Sequence, residues 1–195
     1  MPTEPTSLHG LAIADKIARL SAFIGEDLEA RCAHGFHVTG GCYLLIAKST
    51  DSPIAQVMRG HSARLATMGI RVRAIFSEID PAHPIHATAP FAVPGECRMI
   101  RDHRLLAAHE QLVLSPTRTW VGDCMRRDPA KRDALERFAA DCAQTGAHAI
   151  RSFEALWRTT VPASVMPQIS TALAAQMPEI AAASPNAQPN GVPRQ

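Results

Sequence analysis

The order of apolar and polar positions along the chain predicts alternating helices and strands. Over residues 7–32 the apolar residues repeat at helical spacing, while Asp15, Lys16 and Arg19 point away from the apolar face. Because Gly25 lowers helix propensity, the segment forms either one long helix or two shorter ones. The residues expected to face inward are Leu11, Ala14, Ile17, Leu20, Ile24 and Leu28.

The next part of the chain has a β-α-β pattern. Residues 42–47 are apolar without alternation, which is typical of a strand covered on both faces. Asp51-Ser52-Pro53 supplies a cap and a proline at the first helical position, and the helical spacing that follows ends at Gly69. Residues 70–76 then form a second strand. We expect a right-handed unit in which the two strands are parallel.

Shorter segments follow the β-α-β unit. Four prolines exclude helix interior and central strand from residues 77–95, so this stretch is predicted to be a surface loop. Three short strands are then expected, and the turn Ser115-Pro116-Thr117 joins the last two into a hairpin. The three strands are residues 97–101, 110–114 and 118–121.

Helices are predicted after the hairpin. The first begins at Asp128-Pro129 and breaks at Gly146, and its buried residues are Leu135, Phe138, Ala139 and Cys142. The second ends before Pro162 and carries Ile150, Phe153, Leu156 and Trp157 inward. Together these helices are expected to cover one face of the sheet.

The sequence therefore predicts an α/β fold, with a mixed sheet and a β-α-β unit flanked by helices. Residues 1–37 form an N-terminal helical segment and residues 38–162 the α/β domain. In residues 163–195, Ile169, Leu173 and Met177 mark a short amphipathic helix. The polar tail after it cannot bury enough apolar surface to offset its ordering entropy, so we expect it to be disordered.

Composition limits the kinds of partner. A length of 195 residues with 46% apolar content supplies the core of one ordinary domain. A net charge of +2 is too small to indicate a general affinity for nucleic acid, and no segment is apolar enough to span a membrane. The N-terminus has no secretory pattern, and five cysteines without a C-x-x-C pair fit a reducing compartment. We expect a cytoplasmic protein without disulfides.

Two groups of residues have ligand-binding chemistry with a simpler alternative. Cys32, His34, His37 and Cys42 are metal-ligand types, but their spacing matches no zinc module, and a helix end stopped by Gly35 is favoured. No metal and no cofactor is expected.

Arginines form the second group. Either they hold a phosphate or an acidic partner, or they pair with acids of the chain, and the paired surface is favoured. The arginines are Arg71, Arg73, Arg98, Arg101, Arg104, Arg118, Arg126 and Arg127, and the interleaved acids are Asp102, Asp123, Asp128 and Asp133.

Residues 38–162 resemble one half of the phospholipase D superfamily. That family has an H-x-K motif, an aspartate after four further residues, and a following strand that ends in G-S. Here His109-Glu110-Gln111 matches H-x-K with Gln for Lys, Pro116 stands at the aspartate, and Val121-Gly122-Asp123 is similar to the G-S strand one residue early. The segment Ser152 to Trp157 is similar to the closing helix of the family.

The resemblance implies a catalytic role for His109, which in the family attacks phosphorus while the lysine neutralises the phosphoryl oxygens. Gln111, Arg118, Arg126 and Arg127 are the candidate phosphate or ligand contacts. Since the charged members of the motif are replaced, the leading hypothesis is a non-catalytic phospholipase D-like domain that serves as a binding or regulatory module.

Two alternatives remain open. The first is a phosphodiesterase or nuclease in which a homodimer brings two His109 residues together, because the family uses two motifs. The second is a structural recruitment protein whose N-terminal helix and C-terminal segment engage a larger complex, with the C-terminal segment as the contact to a protein partner. A homodimer is the expected assembly.

Overall fold

A computed structural model describes residues 8–33, 41–78, 95–127 and 135–163, with side chains from residue 13 onward in the first range. The helices are α1 (Leu8–Ala33), α2 (Pro53–Gly60), α3 (Ser62–Thr67) and α4 (Ala143–Thr159), with a 3₁₀ helix at His103–Ala107. The strands are β1 (Cys42–Ala47), β2 (Arg71–Phe76), β3 (Gly95–Met99), β4 (His109–Val113), β5 (Thr119–Cys124), β6 (Arg137–Ala139) and β7 (Val161–Pro162).

The strands form one seven-stranded mixed sheet in the order β6-β5-β4-β1-β2-β3-β7. β1, β2 and β3 are parallel, and the remaining pairings are antiparallel. The predicted α/β class, the parallel β1 and β2, and the hairpin of β4 and β5 are therefore confirmed. Backbone hydrogen bonds between Ser115 and Arg118 close the hairpin turn.

Side chains of β1 alternate between two hydrophobic clusters, one on each face of the sheet. Tyr43 and Leu45 pack with residues of α1 and α2, whereas Leu44 and Ile46 pack with residues of α4. Because helices cover both faces of the sheet at β1, neither set of its side chains faces solvent. This explains why the apolar run that predicted the strand is continuous.

The N-terminal segment is one helix, because Gly25 does not interrupt α1. Leu20, Ile24 and Leu28 are fully buried, as predicted, whereas Ala14 is exposed. The expected outward orientation of Lys16 is wrong, since this side chain is only 5% exposed. Position 16 borders the apolar stripe of α1, and a buried carboxylate of the sheet lies opposite it.

Two predictions about the third quarter of the chain are wrong. Residues 137–139 pair with β5 as an edge strand, not as part of a helix, and Gly146 lies inside α4 without breaking it. Position 146 requires glycine for packing, because a Cβ there would lie 1.7 Å from the Pro116 carbonyl oxygen. Only the start of that predicted helix, at Asp128-Pro129, lies outside the described residues.

Several other predictions lie outside the described residues. They are most of the Pro-rich loop of residues 77–95, His34 and His37, and the amphipathic helix and tail of residues 163–195 apart from Ala163. Within the described ranges, no helix is both long enough and apolar enough to cross a membrane.

Candidate functional site

A groove of about 520 Å3 lies between the sheet and α4, and we call it the apolar groove. Its floor includes Ile46, Gln111 and Val121, which are direct cross-strand neighbours on β1, β4 and β5. Side chains that are directly opposite on paired strands point to the same face, so these three form one row beneath the helix. The helix contributes Thr145, His148, Ala149, Ser152, Ala155, Leu156 and Thr159.

His109 lies at the edge of the apolar groove, as the first residue of β4. Its Nδ1 atom lies 2.8 Å from the carbonyl oxygen of Gly122 on β5. A carbonyl oxygen only accepts, so Nδ1 carries the proton and a neutral ring presents its lone pair on Nε2. Among the described residues, no hydrogen-bond partner reaches Nε2, and the side chain is exposed.

The position of Gly122 is dictated by packing. A Cβ at residue 122 would lie 2.6 Å from the indole ring of Trp120, which is fully buried two residues earlier on the same face of β5. The glycine therefore lets the strand pass the indole at the point where its carbonyl holds His109. This is the residue that aligned with the G-S strand in the sequence.

Gln111 is buried, and its side-chain amide forms a hydrogen bond within the fold. Its Nε2 atom donates a hydrogen bond of 2.8 Å to the carbonyl oxygen of Ala149 in α4. The bond ties β4 to the helix and leaves the side chain as part of the groove wall. Gln111 thus lies beside His109 as the motif predicts, but its donor group holds the helix.

The three candidate arginines are not brought to the groove. Arg118 lies at the opposite end of the hairpin from His109, where it pairs with Glu26 and donates to the carbonyl of Phe23 on α1. Arg127 forms an ion pair with Asp123 at 3.2 Å, and Arg126 donates to the His103 carbonyl.

Arginines elsewhere on the sheet are also paired. Arg73 bonds to Glu154, and Arg98 bonds to Glu96 and to the carbonyl of Trp157. The guanidinium groups of Arg73 and Arg98 both lie over the ring of Trp157. A surface with internally paired arginines, the favoured reading of the sequence, is confirmed for Arg73, Arg98, Arg118 and Arg127.

A second cleft of about 510 Å3, the basic cleft, adjoins the apolar groove and shares Val121, Thr145 and His148 with it. The other lining residues are Leu135, Arg137, Gln144 and Arg151. Sequence reasoning missed these residues. The signal was the spacing of Gln144, His148 and Arg151 on one helical face, and the assumed break at Gly146 concealed it.

The other face of the sheet holds a buried polar contact that the sequence did not predict. Lys16 Nζ lies 4.0 Å from Glu110 Oε2 and 5.2 Å from the centroid of the Trp120 ring. The other carboxylate oxygen of Glu110 accepts a hydrogen bond from the backbone amide of Lys48. Since Glu110 and His109 are consecutive strand residues, the lysine lies on the face opposite to the apolar groove.

All five cysteines are free thiols. In the described ranges no group of three His, Cys, Asp or Glu side chains is placed to hold a metal ion. A scan against models of known protein families matches none, and a search of curated proteins finds no significant match.

Proposed function

We propose that the protein is a non-catalytic, phospholipase D-like binding module whose ligand occupies the apolar groove. The main observation behind this proposal is that the described residues lining the groove are uncharged. None of its lining residues within the described ranges is Lys, Arg, Asp or Glu, although His109 lies at its edge. Loss of charge stabilisation at a phosphoryl centre costs several kcal/mol of barrier, so a groove of this kind favours binding over phosphoryl transfer.

The order of elements supports the phospholipase D-like assignment. A β-α-β unit precedes the hairpin that carries His109 and Gln111, and a long helix follows on the same face. His109 and Gln111, which match the first and third positions of the H-x-K motif, both line the groove beneath that helix. The departure is the amide of Gln111, which bonds to Ala149 and leaves no cation beside His109.

One observation favours a second candidate, a homodimeric phosphodiesterase. The Gly122 carbonyl accepts a hydrogen bond from His109 Nδ1, so in the neutral tautomer the lone pair lies on Nε2, which is the arrangement a nucleophile needs. Activity would require a second His109 from a partner copy. It would also require a cation from outside the apolar groove.

Hydrolysis assays separate the two candidates. The purified chain is incubated with bis-p-nitrophenyl phosphate and with DNA, beside His109→Ala and a matched variant, His103→Ala, which changes an exposed histidine on the neighbouring 3₁₀ helix. We expect none of the three proteins to turn over either substrate above the buffer rate. Turnover by wild type and His103→Ala that is absent from His109→Ala would overturn the binding-module assignment.

The remaining hypothesis, recruitment of a protein partner through residues 163–195, stays a prediction. It requires the C-terminal segment and does not involve the apolar groove. Removing residues 164–195 would abolish recruitment but would leave ligand binding in the apolar groove unchanged, which pull-down and binding measurements on the same variant can compare.

A further inference from the structure

The row of side chains that floors the apolar groove continues into the basic cleft. Ile46, Gln111 and Val121 are followed by Arg137, which pairs directly with Val121 across β5 and β6. Four adjacent strands therefore contribute one row, and at strand spacing the row is about 14 Å long. Its first three members are apolar or internally bonded, and its last is a cation.

The helix repeats this change from apolar to basic. Ala149, Ser152 and Leu156 face the apolar groove, whereas Gln144, His148 and Arg151 face the basic cleft. Residues four and seven apart lie on one side of a helix, so the last three form a polar stripe along α4. His148 lies where the two spaces meet, since it lines both.

The two arginines of the basic cleft lie outside the ion-pair network that holds Arg73, Arg98 and Arg118 in the described part of the chain. Arg137 and Arg151 are exposed, and in the described part of the chain neither forms an ion pair. No Asp or Glu lines the basic cleft within the same part. Guanidinium groups of this kind bind carboxylate or phosphate oxygens through paired hydrogen bonds.

We propose that the basic cleft is an anion subsite, and that the ligand is a small molecule with an apolar body and a terminal phosphate or carboxylate. The body lies over Val121 and Ala149 in the apolar groove, and the anion lies between Arg137 and Arg151. The ligand is about 10 Å long, two strand spacings. This inference rests on the proposed binding role of the apolar groove, and it places the anion at the arginines and away from His109.

Three soluble probes with one ring system test the proposal: 1-naphthyl phosphate, 1-naphthoate and 1-naphthol. Binding to the full chain is measured by calorimetry, and the site is mapped by NMR shifts around Val121 and Ala149. We expect both anions to bind at least about tenfold more tightly than 1-naphthol, because only the anions can accept charge-assisted hydrogen bonds from the two guanidinium groups. The ratio of phosphate to carboxylate affinity decides which anion the subsite prefers.

A double variant and a control variant test whether the two arginines bind the anion. In Arg137→Gln/Arg151→Gln, both anions should fall to the affinity of 1-naphthol, whose own affinity stays the same. Arg71→Gln is the matched control, since Arg71 is exposed on β2, three strands away from β5. It should leave all three affinities unchanged. Circular dichroism checks that each variant keeps the fold.

The outcomes separate this inference from the proposed function. In one outcome, all three probes bind equally well and the arginine variants do not change their binding, but Ser152→Trp, which fills the apolar groove, abolishes it. That outcome overturns the anion subsite and keeps the binding role. Failure of every probe to shift the groove residues overturns both. In another outcome, the protein sediments with phosphatidylglycerol vesicles only when both arginines are present, and it does not bind the soluble probes. That outcome would overturn a small-molecule ligand.

Discussion

Cys142 and Cys97 have opposite environments that no pattern in the sequence distinguishes. Cys142 precedes α4, and its Sγ atom lies 3.0 Å from Thr145 Oγ1. Hydrogen bonds from the Thr145 side chain, then from backbone amides of the first helical turn, lower the pKa of this thiol. Burial on β3 raises the pKa of the Cys97 thiol to about 12, with a smaller contribution from Glu96.

A lower thiol pKa means more thiolate at neutral pH, and the thiolate is the reactive form. We therefore expect iodoacetamide to modify Cys142 in the folded protein while Cys97 reacts only after unfolding. Peptide mass spectrometry over time measures both positions in one sample. Cys142→Ser should remove the corresponding phase of the reaction, and equal rates at Cys142 and Cys97 in the folded chain would contradict the assignment.

At the same scale, the candidate site was predictable in part. His109 was found from its motif, but its partner depends on the pairing of β4 with β5, which brings the Gly122 carbonyl within 2.8 Å of the ring. The same holds for Gln111, whose partner Ala149 is 38 residues away. Motif spacing locates a side chain on a strand, whereas its hydrogen-bond partner is set by distant backbone.

Helix α4 shows the difference between a glycine that ends an element and one that packs inside it. A methyl group at residue 146 would meet the backbone of Pro116, which cannot move without shifting the hairpin turn. We expect Gly146→Ala to lower the free energy of unfolding by about 2–3 kcal/mol through overpacking. Urea denaturation followed by circular dichroism measures the loss.

Gly25 provides the matched control for that experiment. It also lies inside a helix, α1, but apart from its own helical turn no described residue comes within 4 Å of the position its Cβ would take. Gly25→Ala should raise the free energy of unfolding by about 0.5–1 kcal/mol, because alanine loses less backbone entropy in a helix. If both substitutions changed stability in the same direction, close packing would not be the reason for glycine at 146.

The pattern that predicts a helix over residues 135–142 is also overridden by tertiary contacts, because residues 137–139 form β6. Leu135, Phe138 and Cys142 have helical spacing, yet Trp120 and Val121 supply a strand edge with which residues 137–139 pair. Phe138 then contacts the ring of Phe23 at a centroid distance of 5.1 Å on the α1 side of the sheet. A three-residue strand is too short for alternation to show, so only its partner identifies it.

At the scale of the whole molecule, buried polar contacts as well as the apolar core join elements that lie far apart in the sequence. Lys16 and Glu110 join α1 to β4 although they are 94 positions apart, and both are largely buried. Glu110 also accepts from the Lys48 amide, which follows β1. The carboxylate therefore links the N-terminal helix to two central strands.

Glu110→Ala should lower the free energy of unfolding by about 2–3 kcal/mol, because it removes the carboxylate beside the buried Lys16 cation and the acceptor of the part-buried Lys48 amide. The comparison is Glu26→Ala on α1, which removes the partially exposed pair with Arg118 and should cost less than about 1 kcal/mol. Chemical denaturation of the two variants under one buffer gives the difference directly. Equal losses would show that the buried pair contributes no more than the exposed one.

The sequence by itself determined the elements that depend on neighbours along the chain. Continuous apolar residues identified β1, the proline at residue 53 marked the start of α2, and helical spacing identified α1. Each of these signals is local, because backbone geometry and burial of one face act within a few turns or a few strand residues.

Tertiary structure alone decided what those elements bring together. It turned Lys16 inward, assigned residues 137–139 to the sheet, and aligned Ile46, Gln111, Val121 and Arg137 in one row under α4. The physical reason is that strand register and helix docking are set by contacts between residues far apart in the chain. The groove and its basic end exist only once those contacts have formed.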